Sequence, residues 1–408
     1  MKIGVYINQR PDAGGGFYEA LNSIGKIDIR NSSKIFFTSN RACFDYLVEI
    51  GANAEFFEIS YLQRLMLFIR YSILNKLSRI IPGNITPVKL LKKMLPTYNY
   101  FERKFIDQGI DIIFFTSPDS NIVYLEKINY CISVWDMAHI EIPFYPELRE
   151  NFTFETRDFY YKRVLPKAYS IVVGHEECKK SLISKYNINE DKIFIIPFQA
   201  SPKIRQFFDQ NSIIKPAKIE GNYIFYPSQY SSHKNHRMVI DAFHEYYTKC
   251  PSASLKLVFV GSDQGTKYAL KELAKNKNLS NVIEFLDFLS DEEIYSLYKL
   301  CTAVIVPSHI GPGTLPSLEA LYLDKNLILP DYDFNLTFYG NQPYYYCHYD
   351  YKDLAELLLK MDATASTADS RGANKNLYKH IQNCSEVIEF NVRMQKFHNI
   401  SRTSRLND

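Results

Sequence analysis

The stretch "AVIVPSHIGPGTLPSLEALYLDKNLILPD", residues 303–331, joins two short apolar runs (303–308 and 326–331) through a turn rich in glycine and proline and then a helix start. Neither run alternates polar with apolar residues, and continuous apolarity marks parallel strands covered on both faces. The stretch therefore reads as a strand, a crossover helix and a second parallel strand. Pro316 suits the first turn of that helix, where its missing N–H would have no partner in any case. The N–H groups around Gly313, Thr314 and Leu315 then form an anion site that the helix dipole makes favourable for phosphate. Glu319 follows one turn inside, where an acceptor-only carboxylate can bind both hydroxyls of a ribose. Phosphate cradle and ribose clamp together point to a nucleotide, although a proline-bounded turn alone is equally ordinary turn chemistry.

The same rhythm runs outward in both directions. Strands are expected at 2–8, 34–39, 54–59, 111–117, 130–136, 170–174 and 192–198, then at 223–228, 255–262 and 282–288. A polar stretch at 199–221, "QASPKIRQFFDQNSIIKPAKIEG", interrupts them and reads as a linker. With 408 residues the chain exceeds one ordinary core. The expected fold class is α/β, with two Rossmann-like, doubly wound domains facing across a cleft. Residues 1–200 form the first domain, 201–384 the second, and 385–408 a final helix packing back towards the first. Ligands of such sheets bind beyond the carboxyl ends of the strands, so the loops after residues 8, 136, 228, 262 and 308 should share one cleft.

Three of those loops carry candidate chemistry. "YPSQYSSHKNHRMVIDAF" (226–243) places Ser228, His233 and Lys234 at a helix start, where lysine can balance the charge of a leaving diphosphate; a solvated helix face is the alternative. "FVGSDQG" (259–265) supplies Gly261 and Ser262 at a strand exit able to pack against a base or phosphate. "RPDAGGGFYEAL" (10–21) puts Gly15 and Gly16 after the first strand, permitting close backbone approach to a ligand or serving as a plain turn.

The bulk properties exclude other classes. A formal charge of +3 gives no nucleic-acid footprint. The seven cysteines, scattered and odd in number, form no C-x-x-C pair and suggest reduced thiols in a cytosolic protein. "MKIGVYINQ" goes directly into a strand, so no signal peptide is expected, and no apolar run is long enough to span a bilayer. The histidines show no metal spacing, and "DYD" at 331–333 sits at a strand end, away from the expected site. The outlier is 61–104, which carries Arg64, Arg70, Lys76, Arg79, Lys89, Lys92, Lys93, Arg103 and Lys104 against Glu102 alone. On a helical projection Leu62, Met66, Ile69, Ile73, Leu77 and Ile80 oppose Arg64, Lys76 and Arg79. Such a helix can lie on an anionic membrane surface, or can face a core with its basic side solvated.

As a set, the H-K-N loop, the V-G-S exit, "FLDFLSDEEIYSLYKLCTAVIVPS" (285–308) and "LPSLEAL" (315–321) resemble the retaining glycosyltransferases of family 4, which have the GT-B fold. The first half agrees through "GGGFYEAL", through "VWDMAHIEIPFYPELRE" (134–150) in place of the family's H-D-x-x-H and Pro-Glu, and through residues 168–198. The resemblance implies transfer of a hexose or deoxyhexose from a GDP- or UDP-sugar to an acceptor hydroxyl, with retention and no metal or other cofactor. It makes Lys234 the diphosphate-binding lysine and Glu319 the ribose-binding glutamate. Gly15 and Gly16 become the phosphate-side loop, Thr314 and Leu315 backbone donors to the diphosphate, and Asp136 and His139 residues near the reacting sugar.

Three departures stand out: Gly311 where the family's E-x(7)-E pattern places its first glutamate, Trp135 where histidine is common, and Gln229 near an expected arginine. The combined expectation is a cytoplasmic enzyme, peripheral on the membrane's inner face, building bacterial O-antigen or capsule on a lipid-linked glycan. A nucleotide-sugar epimerase and a degenerate nucleotide-binding partner protein are the alternatives.

Overall fold

Strands form where they are expected, but most end early. The computed structural model describes residues 1–11, 15–27, 32–68, 100–212, 219–364, 373–383 and 385–405. The first half holds β1 (Lys2–Tyr6), β2 (Ser33–Thr38), β3 (Ala54–Phe56), β4 (Ile112–Phe115), β5 (Asn129–Val134), β6 (Ser170–Val173) and β7 (Ile193–Ile195). The second holds β8 (Tyr223–Pro227), β9 (Lys256–Val260), β10 (Ile283–Leu286), β11 (Ala303–Ile305), β12 (Asn326–Pro330) and β13 (Tyr344–Tyr346). Just past the carboxyl ends of β1, β4, β8, β9 and β11 single backbone bonds such as Ile7 N–H to the Phe37 carbonyl still tie neighbouring strands before the loops begin.

The strands make two sheets, ordered β3-β2-β1-β4-β5-β6-β7 and β10-β9-β8-β11-β12-β13, and every neighbouring pair is parallel. In the first sheet Ile3, Val5, Ile112 and Phe114 enter one core while Tyr6, Ile113 and Phe115 enter another, so both faces are covered. This is why the strands are apolar throughout and not alternating. Strand order reverses between β1 and β4, and again between β8 and β11. A crevice at such switch points is where doubly wound sheets bind ligands.

Two expectations need correction. The stretch 199–221 is not a plain linker: helix Pro202–Asp209 forms within it, capped by Ser201 and buried through Ile204. Polar composition hid the helix, because only one of its faces meets protein. The strand β13 was not anticipated, since "YYYC" carries no β-branched residue and runs into a turn. Helix Val387–Arg405 returns to the first sheet, where Phe390 and Met394 are buried and Met394 Sδ lies 3.5 Å from Cys131 Sγ. Lys76, Arg79, Lys92 and Lys93 lie outside the described residues, whereas Arg64 belongs to helix Tyr61–Phe68. No helix among the described residues is long and apolar enough to cross a membrane.

Candidate functional site

The second domain's half of the site is built by the turn before helix Leu315–Tyr322. Gly313 has φ +76°, a left-handed conformation that a side chain would strain. Its N–H is not open, as the sequence suggested: it donates to the Tyr339 hydroxyl at 2.8 Å, which also meets Ser317 Oγ at 2.5 Å. Thr314 stands at the N-cap with no side-chain bond to a helix N–H, its Oγ1 lying instead 3.1 Å from Ser317 Oγ. The N–H groups of Thr314 and Leu315 have no acceptor among the described residues and remain available to an anion.

Glu319 is only 5% exposed. Its Oε1 accepts the Ser201 N–H at 3.3 Å and its Oε2 the Tyr298 hydroxyl at 2.7 Å, leaving one lone pair on each oxygen. Burial pushes the carboxyl up to about 7, against the pull of those two bonds.

Lys234 ends the 3-10 turn Ser232–Lys234, and Asn235 at φ +54° redirects the chain into helix His236–Lys249. Burial lowers the lysine's pKa, and Asp136 of the first domain opposes that shift. Its Nζ makes no hydrogen bond or ion pair with a described residue, so it is free to meet an anion. Neighbouring His233 is taken: its N–H and Nδ1 lie 2.9 and 2.6 Å from Glu147 Oε1.

Gly261 proves to be a packing residue. A Cβ there would lie 2.2 Å from the Ser228 carbonyl oxygen, so the close approach of two loops already requires glycine at this position. The Ser228 N–H is bonded to the Val260 carbonyl, and the Ser262 carbonyl accepts from Tyr230 N–H, consistent with the same packing.

From the first domain, helix Gly15–Gly25 begins directly opposite. A Cβ at Gly15 would sit 3.2 Å from Leu315 Cδ2, and one at Gly16 would sit 3.1 Å from Trp135 Cη2 and Cζ3. The glycine turn thus meets the anion site of the other domain, while Trp135 fills the space beside it and donates from Nε1 to the Thr116 carbonyl at 3.0 Å.

Asp136 pairs with Arg157 at 2.8 Å and accepts the Ala138 N–H at 2.9 Å. Burial would raise its pKa, but Arg157 and that N–H hold the carboxyl below its ordinary value. His139 is misplaced by the sequence reading. It is 0% exposed, meets the Tyr161 ring edge-on, and its Nε2 lies 2.9 Å from the Tyr186 hydroxyl, so it supports the Asp136 loop from within the protein. Burial lowers its pKa to about 4.

Gly311 faces His175, the residue after β6 and Gly174. A Cβ at 311 would lie 2.9 Å from His175 Cε1 and 3.0 Å from Nε2, so the imidazole of the first domain occupies the space that any side chain at 311 would need. Sequence reasoning missed His175, Arg157, Glu147 as a partner of His233, and Tyr298 beneath Glu319. Only Glu147 carried a local signal, the Pro-Glu pair; the others are joined to the site by tertiary contact. Further bonds cross between the domains: Tyr18 donates to Asp291 Oδ2 at 2.5 Å, and the Tyr145 and His309 rings pack with centroids 5.5 Å apart. Among the described residues no group of His, Cys, Asp and Glu could hold a metal ion. Asp331 of "DYD" instead accepts from His348.

The arrangement is a cleft with a free cation, open N–H groups at a helix start and a buried carboxylate on one side, and a glycine turn and an ion-paired aspartate on the other. Residues 208–361 match the family model for glycosyl transferases group 1. Mannosylfructose-phosphate synthase of Agrobacterium fabrum is similar at 20% identity over 250 residues, 57% of this chain and 54% of that protein. O-antigen chain mannosyltransferase C of Escherichia coli is 27% identical over 121 residues, 30% of each chain. The chain therefore spans about half or less of the length of these curated relatives. Among solved structures, Anabaena Alr3699/HepE in complex with UDP-glucose superposes with a TM-score of 0.61 at 15% identity, covering 99% of this chain and 100% of that one. That likeness establishes the fold, and the expected GT-B architecture is the observed one.

Proposed function

We propose that this chain is a glycosyltransferase that moves a hexose or deoxyhexose from a GDP- or UDP-sugar to a hydroxyl of a lipid-linked glycan. The observation that carries the reading is the approach of the Gly15 helix start to Leu315, at the open Thr314 and Leu315 N–H groups and one turn from the buried Glu319, with the unpaired Lys234 acted on by Asp136 of the first domain. The relatives' names support the reaction class, and the neighbour solved with UDP-glucose supports the donor class.

In this reading the bond between the anomeric carbon and the phosphate oxygen breaks. Lys234 and the two N–H groups stabilise the charge that develops on the departing nucleoside diphosphate. A phosphate oxygen takes the acceptor's proton as the new bond forms on the same face, which gives retention. Positive charge from lysine and the helix start serves where a metal otherwise would.

The test is incubation with UDP-, GDP-, dTDP- and CMP-sugars, following nucleoside diphosphate release. Turnover of one donor that Lys234→Ala abolishes is the expected result. Interconversion to an epimer, or binding without turnover even with acceptor extracts, would overturn it.

We place the enzyme at the cytoplasmic membrane face, in O-antigen or capsule assembly. The exposed Tyr61 and Leu62, at the start of the basic segment, support this placement. Flotation with anionic vesicles tests it: the protein should float, and reversal of Arg64, Lys76 and Arg79 to Glu should abolish binding.

A further inference from the structure

We propose that His175 binds the transferred sugar: its imidazole, seated in the space that Gly311 leaves without a side chain, donates from Nε2–H to a sugar hydroxyl. This rests on the glycosyl-transfer reading and assigns the sugar end of the same cleft.

The orientation of the ring is fixed by the fold. His175 is the N-cap of helix Glu176–Tyr186, and its Nδ1 accepts the Cys178 N–H at 3.3 Å. An Nδ1 that accepts a backbone N–H carries no proton, so the neutral ring's proton must sit on Nε2. Burial lowers the pKa of His175 to about 4, which keeps the ring neutral at physiological pH. The Cε1–Nε2 edge, and not Nδ1, faces Gly311, since the distances from a Cβ at 311 are 2.9, 3.0 and 3.8 Å to Cε1, Nε2 and Nδ1.

The residue is 7% exposed, and its Nε2 has no hydrogen-bond partner among the described residues. That nitrogen is not among the sealed, unpartnered polar atoms of the described residues, so it keeps access to solvent and can donate to a ligand hydroxyl. Its surroundings fit a sugar next to a diphosphate. Asp136 is close enough to raise the His175 pKa, and the same carboxylate acts on Lys234, the proposed diphosphate ligand. The imidazole donor thus shares Asp136 with the lysine that would hold the leaving group. Gly311 lies three residues before Thr314, so one loop would present the phosphate donors at one end and the His175 contact at the other.

The experiment separates this role from helix capping. Asn and Ser both cap helices well, so His175→Asn and His175→Ser keep the start of helix Glu176–Tyr186 while removing the Nε2–H. Calorimetric titration with UDP, GDP, UDP-glucose and GDP-mannose compares sugar-bearing with sugar-free nucleotides. We expect both variants to keep the wild-type melting temperature and affinity for the free nucleoside diphosphate, and to lose about tenfold for the matching nucleotide-sugar. Deoxy analogues of that donor should include one that loses the same factor on the wild type and nothing further on the variants. Variants that bind the nucleotide-sugar as the wild type does would overturn the assignment of His175 and leave glycosyl transfer standing. A wild type that binds none of the four nucleotides overturns both.

Discussion

Glu319 couples ligand binding to pH in a direction set by its burial. Its carboxyl is raised from the ordinary 4.5 to about 7, with burial as the main cause. Ribose hydroxyls would donate to the ionised form and so lower that pKa on binding. A nucleotide-sugar would then release a proton when it binds below pH 7, and its affinity should weaken as pH falls. With a free-site pKa near 7, the loss is about tenfold between pH 8 and pH 6. A nucleotide-sugar is the right probe because both of its phosphates are esterified and neither titrates near neutrality. Calorimetry in buffers of different ionisation enthalpy counts the proton directly. Glu319→Gln should bind the donor more weakly at pH 8 and show no such slope. An affinity that stays flat from pH 8 to pH 6, or a slope that survives in Glu319→Gln, would refute the ribose role.

The same shift has a stability consequence of opposite sign. Because the folded pKa is the higher one, the folded state holds the proton that the unfolded chain releases between pH 4.5 and 7. The group's contribution is fully present at low pH and lost as pH rises through that window, by about 3 kcal/mol. At pH 8, Glu319→Gln should therefore melt at a higher temperature than the wild type, by less than the full amount because the amide faces two donors, Ser201 N–H and the Tyr298 hydroxyl.

Gly311→Ala should destabilise the chain by roughly 1–3 kcal/mol, because its Cβ enters the His175 ring; His175→Ser in the same chain should recover most of that in a denaturant melt. Arg157→Ala leaves the Asp136 carboxylate without its ion pair, so the Asp136 pKa should rise, the acid limb of a pH–rate profile should move to higher pH, and about 2 kcal/mol of stability should be lost at neutral pH. Met394→Ala opens a cavity between helix Val387–Arg405 and the first sheet. It should cost about 3 kcal/mol by urea titration while sparing nucleotide affinity.

The parts of the site legible in the sequence are those whose chemistry is local. Glycines after a strand, a proline one residue into a helix and a lysine before a helix all declare a backbone conformation or a terminal charge that neighbouring residues fix. The two sheets were legible for the same reason, because burial on both faces writes itself as apolar runs such as "IIFF" at 112–115. His139 was misread because spacing from Asp136 says nothing about which residue faces outward. A short helix at Ala138–Glu141 turns the histidine towards Tyr161, which meets it edge-on, and Tyr186, which lies nearly parallel, and leaves it buried. Gly261 was misread for a related cause: its requirement for glycine comes from the Ser228 carbonyl, over thirty positions earlier in the chain. His175 and Gly311 show the converse, since each is unremarkable alone and acquires meaning only as a pair contributed by the two domains. Where a missing side chain on one lobe is filled by a ring from the other, the loss of a carboxylate at 311 is no evidence for a dead site. If His175 donates to the sugar as proposed, a neutral donor stands where the resemblance leads one to expect an anionic acceptor, and the change should be felt in which sugar the cleft takes before it is felt in whether it turns over.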